Sequence, residues 1–285
     1  MRKFIIGTDW WTDCDDAVAL ALAAKSAAAG ETELLGIGIN ACMEYSVASL
    51  TNFLKCFGVS GIPIGIDRDA TDFGGHPPYQ RRLALMTDNV PCNGSAPDAA
   101  EMYVDILSSL EGTAEIIEIG YPQVLARAMK LAPELFRKKV DKIWMMAGKW
   151  NDSPGRENNF ARNVRSACGG HYVCLNSPVP ITFLGFEVGE TVIAGGHADR
   201  NGVLYRVLED HGSPNGRFAW DPMLVLTALI GDEKKAGYTT VRGTASVDEN
   251  TGENTFEENP NGKHVYLVKD RPDEYYKNAI DGLLK

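Results

Sequence analysis

An acidic turn set between two apolar segments constrains this chain more than any other feature. An apolar run at residues 4–6 leads into Thr8-Asp9-Trp10-Trp11-Thr12-Asp13-Cys14-Asp15-Asp16, four carboxylates in eight residues. Residues 17–24 are only Ala, Val and Leu, a composition dominated by strong helix formers. The acids therefore fall between a buried strand and a helix. In an open α/β sheet that junction lies at the carboxyl end of a strand, where such folds bind ligands. Like charges this close repel one another unless a cation or solvent separates them, and hard divalent ions draw oxygen ligands from short acidic loops. The competing reading is that Asp13, Asp15 and Asp16 cap the helix and complement its dipole. Capping does not explain Asp9, which ends the apolar strand a full turn earlier.

Apolar runs at residues 34–39, 62–64, 115–119, 143–146 and 181–184 alternate with amphipathic segments. This alternation predicts an α/β fold with an open, mostly parallel, doubly wound sheet flanked by helices. The length, 285 residues with 44% hydrophobic content, suits a single domain spanning 1–285. After Asp221 the pattern changes: strands at 238–242 and 264–269 flank a polar surface excursion at 248–262, and a closing helix is expected over 272–284. Segments 74–78 and 88–97 read as mobile loops of the kind that form lids.

The net charge of −10, with no Lys/Arg-rich block beyond short runs such as Arg81-Arg82 and Lys138-Lys139, argues against nucleic acid as a partner. No apolar run reaches membrane-spanning length and no signal-peptide pattern opens the chain, so a cytoplasmic protein with no membrane partner is expected. The six cysteines form no C-x-x-C pair. Neither a zinc ribbon nor a disulfide framework is predicted.

Other polar groups fall where predicted strands end. Glu118-Ile119-Gly120-Tyr121-Pro122-Gln123 closes one strand and exposes backbone carbonyls suited to a metal, although such a turn also simply starts a helix. Met146-Ala147-Gly148 ends another with small residues that permit close approach of a ligand, and core packing explains the methionine equally well. Glu157-Asn158-Asn159 gathers an acid and two amides suited to hydroxyl-bearing ligands, or forms a solvated loop. Trp220-Asp221-Pro222 opens an apolar helix, with Asp221 at its cap.

Together, and in this order, these segments resemble the nucleoside hydrolases, the inosine/uridine-preferring and inosine-adenosine-guanosine-preferring N-ribohydrolases. Residues 8–17 look like the longer variant of that family's D-T-D-P-G-x-D-D-A cluster, with two extra residues and one more Asp. Residues 119–124 are similar to its L-G-P-L-T-N turn, residues 146–148 to its M-G-G, residues 157–159 to its E-F-N, and Asp221-Pro222 to its D-P. The resemblance implies a calcium ion held by Asp9, Asp16, Asp221 and the backbone carbonyl of Gln123. It implies ribose hydroxyls bound by Asp15, Glu157 and Asn159, with Met146 lining the same pocket, and Asp9 as the base that deprotonates water on the ion. Asp13 lies in the insertion, and sharing either the metal or the base function with Asp9 is open to it. Trp220 stands where the inosine/uridine-preferring branch has a His. It resembles the purine-specific branch, in which a Trp stacks on the base and raises its proton affinity. A purine nucleoside as small-molecule substrate, a role in purine salvage or nucleoside catabolism, and a homodimer or homotetramer are also implied.

Two departures, Met43 in place of an Asn and Trp10-Trp11 in place of a compact pair, are expected to enlarge side chains at the cleft and to favour an unusual or modified nucleoside. A phosphatase of the haloacid dehalogenase type also begins with a strand and an Asp, but needs a second acid two residues on, where this chain has Trp11. A calcium-dependent nucleoside- or sugar-binding homologue without turnover fits the absence of a His beside Asp221.

Overall fold

The fold is described from a computed structural model covering residues 1–88 and 90–285. Its strands are β1 (Arg2–Thr8), β2 (Thr32–Ile39), β3 (Ile64–Ile66), β4 (Ala114–Glu118), β5 (Val140–Met146), β6 (Ile181–Leu184), β7 (Ile193–Ala194), β8 (Arg217–Phe218), β9 (Tyr238–Val247), β10 (Asn254–Glu258) and β11 (His264–Lys269). Among the described residues, nine strands form one sheet in the order β10-β9-β11-β6-β5-β4-β1-β2-β3, and β7 and β8 pair separately. Every pairing from β11 through β6 to β3 is parallel; only β9 and β10 join antiparallel. The expected open, mostly parallel, helix-flanked α/β sheet is present.

Strands β1, β4, β5 and β6 each carry a run of buried apolar residues, as expected where both faces of the sheet are covered. Phe4 and Ile6 pack on one side with the helices Asp15–Ala28 and Trp220–Ile230. Ile5 packs on the other with the helices Ala99–Ser109 and Gln123–Leu131. From β1 the chain moves outward through β2 and β3, then returns to place β4 on the other flank of β1. This reversal of strand order opens a crevice beyond the carboxyl ends of β1 and β4, where open α/β sheets accept ligands.

Strands β2, β4 and β5 shift by one to three residues from the expected bounds, and other boundaries differ for physical reasons. The third strand begins at Ile64, not Ile62, because Pro63 has no amide to donate; only its carbonyl joins the sheet, accepting from the Ile37 amide at 3.0 Å. The strand expected at 238–242 continues to Val247, and the polar stretch 248–262 contains β10. This strand forms an outer edge of the sheet, where charged residues are tolerated and guard against further pairing. The closing helix runs Asp273–Leu284, as expected to within a residue. Of the two expected loops, 74–78 is irregular and its Gly74 carbonyl accepts from Trp11 Nε1 at 2.6 Å. Asn89 in the segment 88–97 lies outside the described residues.

Candidate active site

A cavity of about 230 Å³ opens at the crevice, lined by Asp9, Asp13, Asp15, Asp16, Glu157 and Asp221 together with Trp11, Met146, Asn159, Phe186, Arg217 and Trp220. Asp9 follows the last residue of β1. Asp15 and Asp16 are the first two residues of the helix Asp15–Ala28, and Asp221 lies in the first turn of Trp220–Ile230. Two helix N-termini thus converge on one acidic cluster, and their partial positive charge favours anionic side chains there. Single oxygens of Asp15, Asp16 and Asp221 lie within 4.8 Å of one another, and all three residues are buried. Asp16 accepts from the Thr8 hydroxyl, and Asp15 Oδ2 from the Asp221 amide at 3.3 Å. This all-oxygen donor set is spaced to hold a metal ion.

Burial, and after it the neighbouring carboxylates, pushes the pKa values of Asp15 and Asp221 well above the ordinary range. Asp16 is raised in the same way, by burial first and then by Asp9. Asp9 is pushed up to about 7 by burial, against a lowering hydrogen bond with Asp16. Such a crowd of buried acids is costly without a cation, which fits the metal the donor set could hold. Glu157 is pushed up to about 7 by burial; its two oxygens accept from the Gly148 amide at 2.9 Å and the Asn159 amide at 2.7 Å. Asn159 Nδ2 donates to the Met146 carbonyl at 2.8 Å.

Asp13 behaves differently from the rest. Burial opposes its ionisation, but the hydrogen bonds and charge of Arg217 outweigh burial and hold the carboxyl below the usual range. Arg217 donates from Nε to Oδ1 at 2.8 Å and from Nη2 to Oδ2 at 2.6 Å.

Trp220 is partly buried on the cavity wall. Its ring lies nearly parallel to Phe186 at 5.4 Å, and its Nε1 donates to the Phe186 carbonyl at 2.8 Å. Gln123, the first residue of its helix, does not line the cavity, whereas Ile119 from the same turn does. In a helix the first carbonyl is directed to the amide four residues on, and the Gln123 side chain donates to the Asn40 carbonyl at 2.6 Å.

Two side chains expected to enlarge the cleft do otherwise. Trp10 is fully buried in the core beside Phe53 and Tyr79, with both ring centroids 5.2 Å away, and its Nε1 donates to Ser49 Oγ at 2.8 Å. Its backbone takes φ +40°, rare for a bulky residue. The buried ring anchors this strained turn, which presents Asp9 and Trp11 to the cavity. Met43 packs with Trp11, Phe73 and Tyr121 and does not line the cavity.

The sequence reading missed Arg217 and Phe186 on the wall and Asn40 behind it, and named Glu118 only as the start of a turn, without the part its carboxyl plays beside Asn40. Glu118 had a legible signal, an acid ending an otherwise apolar strand. It is fully buried and pushed up to about 8 by burial. Asn40 directly follows the apolar strand β2, while Arg217 and Phe186 sit in segments with no local signal.

No protein-family model and no curated protein matches this sequence. Solved structures do. The inosine-uridine preferring nucleoside hydrolase from Bacillus anthracis superposes with a TM-score of 0.74 at 17% identity, covering 100% of this chain and 99% of that one. The purine-preferring ribonucleoside hydrolase from Gardnerella vaginalis does so at 0.72 and 18%, with the same coverage. The type III effector protein XopQ, solved in complex with adenosine diphosphate ribose, reaches 0.68 at 14%, covering 100% of this chain and 93% of that one. From its first strand to its closing helix, the chain has the fold of the nucleoside hydrolases.

Proposed function

We propose that this chain is a calcium-dependent nucleoside hydrolase that cleaves the N-ribosidic bond, with purine nucleosides preferred. The observation that carries the reading is the joining of an acidic cluster to an aromatic wall in one cavity, lined both by Asp15, Asp16 and Asp221 and by Trp220 stacked on Phe186. Oxygen donors alone suit calcium. Asp16 and Asp221, with Asp15 or Asp9, would hold the ion, and when bound it supplies a fixed positive charge and Lewis acidity toward water and hydroxyl oxygens.

Cleavage builds positive charge on the ribosyl ring, as in glycoside hydrolysis. Glu157 and the neighbouring aspartates face that charge and lower its energy. Asn159, with Nδ2 spent on Met146, has Oδ1 left to accept from a ribose hydroxyl. Asp9 accepts the proton of the attacking water, placed for that task on the cavity wall directly after the last residue of β1. Asp13 is a poor base because Arg217 stabilises its ionised form. The face of Trp220 stacks on the purine.

A reducing-sugar assay with inosine, guanosine, adenosine and uridine, in calcium and after chelation, tests this reading. Release of ribose from the purine nucleosides, abolished by chelation, is expected. Saturable nucleoside binding without ribose release would overturn hydrolysis in favour of a nucleoside- or sugar-binding protein. The ligand seen in XopQ favours that second reading.

A further inference from the structure

Among the described residues, one basic side chain lines the cavity, Arg217 on β8. Asp13 grips it with two parallel bonds, at 2.8 Å to Nε and 2.6 Å to Nη2, the geometry that matches a guanidinium to a carboxylate. Its Nη1 makes no hydrogen bond among the described residues. The guanidinium carbon stands 5.0 Å from the ring centre of Phe218 and 5.8 Å from that of Trp220, so it is braced against the aromatic wall. Asp13 is itself fixed, with Oδ1 accepting from the Cys14 amide at 2.7 Å.

The placement of a lone cation in an acidic cavity follows from where charge moves. A guanidinium facing the ribosyl ring would oppose the positive charge developing there; one facing the leaving group is attracted to the electron pair that departs with it. Since Arg217 shares a wall with Trp220, the leaving base is the part of the substrate it meets. We propose that Arg217 is a catalytic residue that donates a hydrogen bond from Nη1 to an acceptor atom of the departing base, and that Asp13 is its positioning residue. The proposal rests on the N-ribosidic reading above and deepens it.

In this step the C1′–N bond breaks with its electron pair passing to the base nitrogen, and the water oxygen forms the new C1′–O bond. One water proton goes to Asp9 and from there to solvent, the other remains on the ribose hydroxyl, and the base anion takes a proton from solvent. Arg217 keeps all its protons, since a guanidinium does not ionise in proteins. The two extra residues of the acidic turn thereby acquire a purpose: they supply the carboxylate that aims the donor.

The test compares inosine with p-nitrophenyl β-D-ribofuranoside, whose leaving group is stable as an anion without a donor. In the Arg217→Met variant kcat is expected to fall roughly a hundredfold for inosine and less than about tenfold for the aryl riboside. Arg217→Lys, which keeps the charge and serves if the Met variant does not fold, should recover part of the inosine rate. Asp13→Asn should show the same substrate-dependent pattern with a smaller amplitude. Equal losses on both substrates would assign Arg217 a structural role and overturn the proposal. A wild-type protein that cleaves neither substrate would instead defeat the hydrolase reading itself.

Discussion

Asn40 and Glu118 meet behind the acidic turn, Asn40 Nδ2 donating to Glu118 Oε1 at 2.8 Å. The same Asn40 donates its amide to the Thr8 carbonyl at 2.9 Å and accepts at Oδ1 from the Tyr121 amide at 3.0 Å. It therefore brackets the ends of β1, β2 and β4, the three strands that position the cavity. Asn40→Ala leaves the Tyr121 amide without its partner, at a cost of about 1–3 kcal/mol, and reduces Glu118 Oε1 to its bond from the Gly120 amide. A denaturation midpoint unchanged by this variant would show that the bracket carries no stability.

Asp9 and Asp13 line one cavity with opposite proton affinities, the first raised by burial and the second held ionised by Arg217. Asp9→Asn is expected to cut nucleoside turnover by roughly a hundredfold or more, the usual range of a general base. Asp13→Asn should cost less. Steady-state rates in the reverse order would transfer the base function to Asp13.

The crowding of Asp15, Asp16 and Asp221 makes stability depend on a cation. With chelator present, Asp221→Asn should raise the thermal midpoint, because it relieves like-charge repulsion among buried carboxylates. Calcium at a hundredfold excess over its Kd should stabilise the wild type by about 2.7 kcal/mol and the variant by less. Equal calcium shifts in scanning calorimetry would place the ion elsewhere.

Trp220 is partly buried, with an Nε1 already bonded to the Phe186 carbonyl. Trp220→Ala should therefore weaken purine nucleoside turnover by about 1–3 kcal/mol, the worth of one base stacked on an aromatic ring. A core tryptophan would instead cost about 3–5 kcal/mol of folding stability. Kinetics on inosine and uridine beside the unfolding midpoint separates the two, and uridine cleaved as fast as inosine by the wild type would defeat the purine preference.

His264 is buried, and its Nδ1 accepts from the Ala245 amide at 2.9 Å, which requires that nitrogen to be unprotonated. Burial, with a smaller effect of Lys263, pushes its pKa from 6.5 down to about 4. Between those values the unfolded chain takes up a proton that the folded chain refuses. Stability is thus full above pH 6.5 and falls toward pH 4, by up to about 3 kcal/mol. His264→Gln should flatten that part of the stability profile; an unchanged slope would assign the acid sensitivity to other groups.

Local order along the chain was enough for the parts that lie close together in it. The strand, acidic turn and helix at residues 2–28 could be read because period, composition and charge change within a few residues of one another. The parallel sheet was legible because strands covered on both faces are continuous apolar runs. What required the tertiary structure was convergence and direction. Asp13 and Arg217 are 204 residues apart and Asn40 and Glu118 are 78 apart, so no local pattern links them; the strand order brings Asn40 to Glu118, and the separate β7–β8 pair carries Arg217 to Asp13. Trp10 and Trp11 are the same residue type side by side, yet the left-handed backbone at Trp10 goes with its ring in the core while Trp11 reaches the cavity. β10 escaped detection because an edge strand gains its stability from backbone pairing along one side and leaves its side chains free to be polar.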